Sequence, residues 1–155
     1  MIRKKEIDWF YQNGASNIYT DAWEQYLKPI PEDERHDLVA TYHKRLTSND
    51  ESVRLEAAKA WSIWEASTSK LFQSEKSLHA FEDAKVAEEF ARIECHYFTN
   101  QGFFETDEWL LEKVDKIRHI PTVIVQGRYD VVCPMVSAWE LHRAFPESEI
   151  RRAHV

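Results

Sequence analysis

The chain has 155 residues, 43% of them hydrophobic and 30% charged, which is enough interior for a folded domain and excludes a disordered polar tract. A formal net charge of -7 excludes a phosphate-reading surface, which needs clustered Lys and Arg, and no apolar run approaches the ~20 residues of a membrane span. Met1-Ile2-Arg3-Lys4-Lys5 has no apolar stretch behind it to make a secretory signal, and Cys95 and Cys133 form no C-x-x-C pair, so a reduced, cytoplasmic setting is expected.

From the amino end the pattern is helical. Arg3 to Gln12 carries Ile7, Phe10 and Tyr11 and stops at Asn13-Gly14, a C-cap pair. Asp21 is placed to cap a helix holding Ala22, Trp23, Tyr26 and Leu27, which Pro29 and Pro31 terminate. His36 to Leu46 brings Leu38, Val39, Tyr42 and Leu46 to helical spacing. Thr47-Ser48-Asn49-Asp50 is a turn that delivers a cap to the next helix, where Val53, Ala57, Ala60, Trp61, Trp64 and Leu71 recur on one stripe. Ala84 to Phe98 shows a stripe of Val86, Ala87, Phe90, Ile93 and Tyr97, and Gln101-Gly102 ends it. Asp107 to Ile117 reads as a short amphipathic helix.

At Pro121 the period changes. Thr122-Val123-Ile124-Val125 is a β-branched run of the kind buried on both faces of a parallel sheet, and Gln126-Gly127-Arg128-Tyr129-Asp130 turns at its carboxyl end. Pro134 to Phe145 is helical again. One such strand cannot satisfy its own backbone groups, so the rest of its sheet is expected outside this chain. The resulting division is a helical segment over 1–118 and a strand-turn-helix piece over 119–155.

Three carboxylates stand out. Asp130 lies just past a strand's carboxyl end, where open α/β sheets build their sites, and is either the acid of a Ser-His-Asp triad or a turn-shaping residue. Glu65 and Glu94 each border an aromatic helix face, Glu65 beside Trp61 and Trp64, Glu94 between Phe90 and Tyr97. Together they could hold a cation such as a substrate ammonium; separately they are two of 27 acidic residues, most of them solvated. The seven histidines, His36 and His43 included, have no ligand-like spacing, so neither a metal nor another cofactor is expected. Cys133 is three residues beyond Asp130, and Cys95 reads as a small buried filler. No G-x-S-x-G elbow occurs in the 155 residues.

Nearly the whole chain resembles the proline iminopeptidases, α/β-hydrolases with an inserted helical cap. The resemblance is carried by Arg3 through Gln12, Gly14-Ala15-Ser16, Asp21-Ala22-Trp23-Glu24, Tyr42 through Ser48, Ala60-Trp61-Ser62-Ile63-Trp64-Glu65, Ala91-Arg92-Ile93-Glu94, His96-Tyr97-Phe98 and Ile120 through His142. It implies a mostly α chain: a helical cap domain over 1–118 and part of the α/β-hydrolase core over 119–155. It further implies a serine aminopeptidase that releases N-terminal proline from peptides, with no nucleic acid or membrane partner. Asp130 matches the triad acid, Glu65 and Glu94 match the cap glutamates that bind the substrate ammonium, and Phe10 matches a position lining the pyrrolidine pocket. The family's serine motif is absent here. Its histidine falls in an Ala-Gly-His context, whereas this chain turns to Arg151-Arg152-Ala153-His154-Val155, leaving His154 as a stand-in that the divergent context argues against. The expectation is therefore an inactive cap-plus-core piece of a larger hydrolase. The competing readings are a non-catalytic helical binding module derived from the cap and another capped α/β-hydrolase in which the glutamates are incidental.

Overall fold

The computed structural model describes residues 3–70 and 83–153. Those residues are mostly helical, with one two-stranded sheet among them. Helices α1 (Lys4–Tyr11), α2 (Thr20–Leu27), α3 (Leu38–Leu46), α4 (Glu51–Thr68) and α5 (Ala84–Thr99) precede a single turn α6 (Trp109–Glu112), strand β1 (Val123–Gly127), helix α7 (Met135–Ala144) and strand β2 (Glu149–Ala153).

Aspartates start the helices that build the main layer. Asp37, Asp50 and Asp83 each accept a backbone N–H from the first turn of α3, α4 and α5, supplying a partner that the helix itself cannot. Asp21 does not do this for α2; it lies inside the first turn, where its charge favours the positive end of the helix dipole, and Tyr19 occupies the cap position. The core holds the fully buried rings of Phe10, Tyr11, Tyr26, Tyr42, Trp61 and Trp64.

Helix α5 packs against α4 on a different face from the one its large side chains suggested. Ala87, Ala91 and Cys95 are buried, whereas Val86, Ile93 and Tyr97 are exposed. Small residues let the two backbones approach closely, with Ala57 and Ala58 buried on α4, so volume misled the reading of the stripe. Leu71, assigned to the α4 stripe from spacing, and His154 lie outside the described residues.

The sheet differs from expectation in two ways. β1 has a partner within the chain: β2 pairs with it in parallel, Val123 opposite Glu149 through Gly127 opposite Ala153, with α7 as the crossover. Its Glu-Ile-Arg-Arg-Ala sequence hid the strand behind charge. β1 is also not buried on both faces, since Val123 and Val125 are 52% and 67% exposed. Ile124 and Gln126 instead line a cavity of about 380 Å³ shared with Leu141 of α7, Leu111 of α6 and Arg3 before α1.

Candidate functional site

Helix α1 connects the helical layer to the β1–α7 piece. Arg3, which is buried, sends its guanidinium to Glu6 (2.5 Å), to Glu140 of α7 (2.7 Å) and to Glu108 (3.1 Å), and Ser137 of α7 donates to Glu6 at 2.6 Å. Further along, the Trp9 indole N–H donates to the Val131 carbonyl at 2.8 Å, in the loop that follows Asp130. Gly14 allows that ring its place, because a Cβ there would meet the Trp9 ring at 2.4 Å and its carbonyl at 2.6 Å.

Asp130 is exposed, three residues past the end of β1 and directly after its turn. One oxygen accepts the Cys133 backbone N–H at 2.8 Å and the other accepts the Gln126 side-chain amide at 3.1 Å. Gln126 also donates to the Cys133 carbonyl, so the loop from 126 to 133 is closed by its own hydrogen bonds. A cavity of about 390 Å³ lies between this loop and the carboxyl end of α4, with Asp130 and Cys133 on one side and Thr68 and Ser69 on the other. Ser69 is one turn beyond Glu65, and its hydroxyl and backbone N–H both bond the Glu65 carbonyl. Burial, foremost, raises the Cys133 thiol, and the charges of Asp130, Glu6 and Glu65 add to it.

The structure brings Glu65 and Glu94 together. Glu65 is buried on α4 and Glu94 is half-buried on α5. The Tyr11 hydroxyl makes a short hydrogen bond to Glu65 Oε1, and the Trp61 indole N–H donates to Glu94 Oε2 at 3.0 Å. Tyr11 and Trp61 are themselves stacked, with centroids 4.4 Å apart and planes 18° from parallel. Neither carboxylate has an ion-pair partner among the described residues. Burial first, and then the charge of Glu94, push the Glu65 carboxyl up to about 8, while burial also raises Glu94. Tyr11 is raised well above 10.0 by burial and by both glutamates, which keeps its phenol a donor.

Two further polar atoms in the same aromatic box, Tyr26 Oη and Trp64 Nε1, are buried with no hydrogen-bond partner among the described residues. Each such orphan costs about 1–3 kcal/mol. Their rings are 5.7 Å apart, and Phe10, fully buried, lies 5.2 Å from Trp64 and 4.8 Å from Tyr11. Carboxyls that hold their protons for want of a cation, and unmet polarity, are thus concentrated around one set of rings, an arrangement that a desolvated cation with an apolar body would complement.

Sequence reasoning named Glu65, Glu94, Asp130 and Phe10 but not the donors that hold the carboxylates. Tyr11 and Trp61 read only as apolar residues on helical stripes, although both carry a polar tip that seeks a partner when buried. The Trp9 indole went unread for the same reason. Among the described residues no group of three or more His, Cys, Asp or Glu could hold a metal ion, and no helix is long and apolar enough to cross a membrane.

No family model matches the chain. Among curated proteins it is 61% identical over 150 residues to the "Probable proline iminopeptidase" of Leptolyngbya boryana, covering 97% of this chain and 47% of that protein. It is 56% identical over 152 residues to the proline iminopeptidase of Arabidopsis thaliana, covering 97% and 40%, and 54% identical over 151 residues to that of Xanthomonas citri, covering 97% and 48%. The chain spans about half the length, or less, of these relatives. With identity at this level along nearly all of its own residues, the chain is similar to part of the proline iminopeptidases.

Proposed function

We propose that this chain is the substrate-gripping part of a cytoplasmic serine aminopeptidase that releases N-terminal proline from peptides, with residues 1–118 as its helical cap and 119–155 as part of an α/β-hydrolase core. Glu65 and Glu94 take the secondary ammonium of the substrate, and Phe10 lines the pocket for its pyrrolidine ring. Asp130 is the triad acid: it orients an imidazole whose other nitrogen takes the serine proton. On this reading the serine and the oxyanion donors lie in sequence outside these 155 residues. Without a nucleophile and a charge-stabilising hole there is no acyl transfer, so the chain alone is inactive.

The observation that carries this reading is the buried glutamate pair with no cation of its own. Two desolvated carboxylates select a free amino terminus, because a charge-assisted hydrogen bond there replaces a proton that must otherwise be held. Removing one member of such a pair costs about 2–5 kcal/mol of binding, which is more than tenfold in affinity. Titration calorimetry with L-prolinamide at pH 8 tests the grip. Glu65→Gln and Glu94→Gln are expected to weaken binding at least tenfold, and N-acetyl-L-prolinamide is expected not to bind. Equal affinity in all three proteins removes the role.

The exposure of Asp130 and the missing G-x-S-x-G also suit a non-catalytic module that uses the same grip. Cleavage of proline-naphthylamide separates inactivity from catalysis: turnover by the purified 155-residue chain overturns the inactive-piece reading.

A further inference from the structure

We infer that Tyr11 and Trp61 are positioning residues for the carboxylate pair, a stacked couple of donors that fixes one oxygen of each glutamate and leaves the other for a bound cation. The inference rests on the reading of Glu65 and Glu94 as an ammonium grip and says how that grip is set.

The geometry is complementary. Tyr11 comes from α1 and bonds Glu65 Oε1, and Trp61 comes from α4 and bonds Glu94 Oε2. Glu65 Oε2 and Glu94 Oε1 accept no hydrogen bond from any described residue. Face-to-face stacking at 4.4 Å means that neither ring can swing without disturbing the other, and Phe98 backs both, 5.3 Å from Tyr11 and 6.3 Å from Trp61. The two carboxylates are therefore fixed from one shared ring pair, although they lie on different helices.

This arrangement also sets when the site can accept a cation. The groups that act on Glu65 are Glu94 from α5 and Tyr11 from α1; Glu65 in turn acts on Tyr26 of α2 and on Cys133 beyond β1. None of these is a cation. Burial and Glu94 favour a protonated Glu65, and the Tyr11 hydrogen bond is the opposing influence, since it favours the carboxylate. Binding an ammonium requires Glu65 to release its proton. The phenol hydroxyl lowers the cost of that release, so its loss weakens cation binding in a pH-dependent way that loss of packing would not.

Tyr11→Phe keeps the ring and its stack and deletes the donor; Trp61→Phe deletes the other donor. The readout is the carbon-detected titration of the Glu65 and Glu94 side-chain carboxyls in the ligand-free 155-residue chain, with L-prolinamide binding as a second measurement. In Tyr11→Phe the Glu65 midpoint is expected to rise by about one pH unit, which is a tenfold change in proton affinity. The Glu94 midpoint is expected to rise likewise in Trp61→Phe, and prolinamide affinity at pH 7 to fall about tenfold in Tyr11→Phe but by less at pH 9. Carboxyl midpoints that stay in place in whichever variant folds overturn the inference, even if the parent chain binds prolinamide. Midpoints that shift in a chain that does not bind prolinamide uphold the positioning and sink the ammonium reading instead.

Discussion

A buried carboxyl that holds its proton gives stability with an unusual dependence on pH. Glu65 titrates near 8 in the folded chain against an ordinary 4.5, so between those values the folded state binds a proton that the unfolded state has lost. Stability contributed by that proton is complete at acid pH and is lost as the pH rises from about 4.5 through about 8. Glu94 shifts in the same direction and adds to the slope. Urea unfolding at pH 5 and pH 9 should therefore show the parent chain markedly weaker at the higher pH and Glu65→Gln much less so; equal losses in the two proteins would mean that Glu65 is not the group responsible. Cys95 behaves differently: it is buried on α5 with its thiol donating to the Val39 carbonyl of α3, and burial holds that thiol up at about 12, so it fills space and does not react.

Among the elements, α1 links the two candidate regions through three consecutive residues. Trp9 reaches the loop after Asp130, Phe10 enters the aromatic core and Tyr11 meets Glu65, because successive residues on a helix point about 100° apart. Trp9→Phe removes the bond to the Val131 carbonyl together with part of the ring that packs over Gly14. Its expected effect is to loosen the 130–133 loop, read as a severalfold faster reaction of the half-buried Cys133 thiol with iodoacetamide, while the Glu65 titration stays unchanged. An unaltered rate would show that the loop is closed by Gln126 and Cys133 alone. How much of this was legible in the sequence follows from range. Local signals were readable: the Asp50 cap, the ends of α3 and α7, the strand at Val123 and the carboxylate after its turn. The two glutamates were visible as carboxylates bordering aromatic stripes. Their donors were not, because Tyr11 is 54 residues from Glu65 and Trp61 is 33 from Glu94, and no local pattern pairs residues at such separations. β2 escaped because period-2 hydrophobicity is the usual mark of a strand, and Glu149, Arg151 and Arg152 put charge where that mark looks for apolar side chains.

For the molecule as a whole, the guanidinium of Arg3 is the main polar tie between the helical layer and the β1–α7 piece, and it is buried. Removing Arg3 leaves the buried Glu6 without its cation, while Glu140 keeps Lys5 and Glu108 stays half exposed; an uncompensated buried charge costs about 3–5 kcal/mol. Arg3→Met is accordingly expected to lower the urea midpoint far more than Lys4→Met, whose partner Asp8 is a solvated neighbour on the same helix. Similar midpoints would show that Glu6 finds another partner. The uncovered β1 surface carries a different consequence. Among the described residues β1 hydrogen-bonds along only one side, and Val123 and Val125 stand bare on its outer face. On the proposed reading, this open edge is where the remaining strands of the core sheet add, and their pairing would satisfy backbone groups of β1 that otherwise face water.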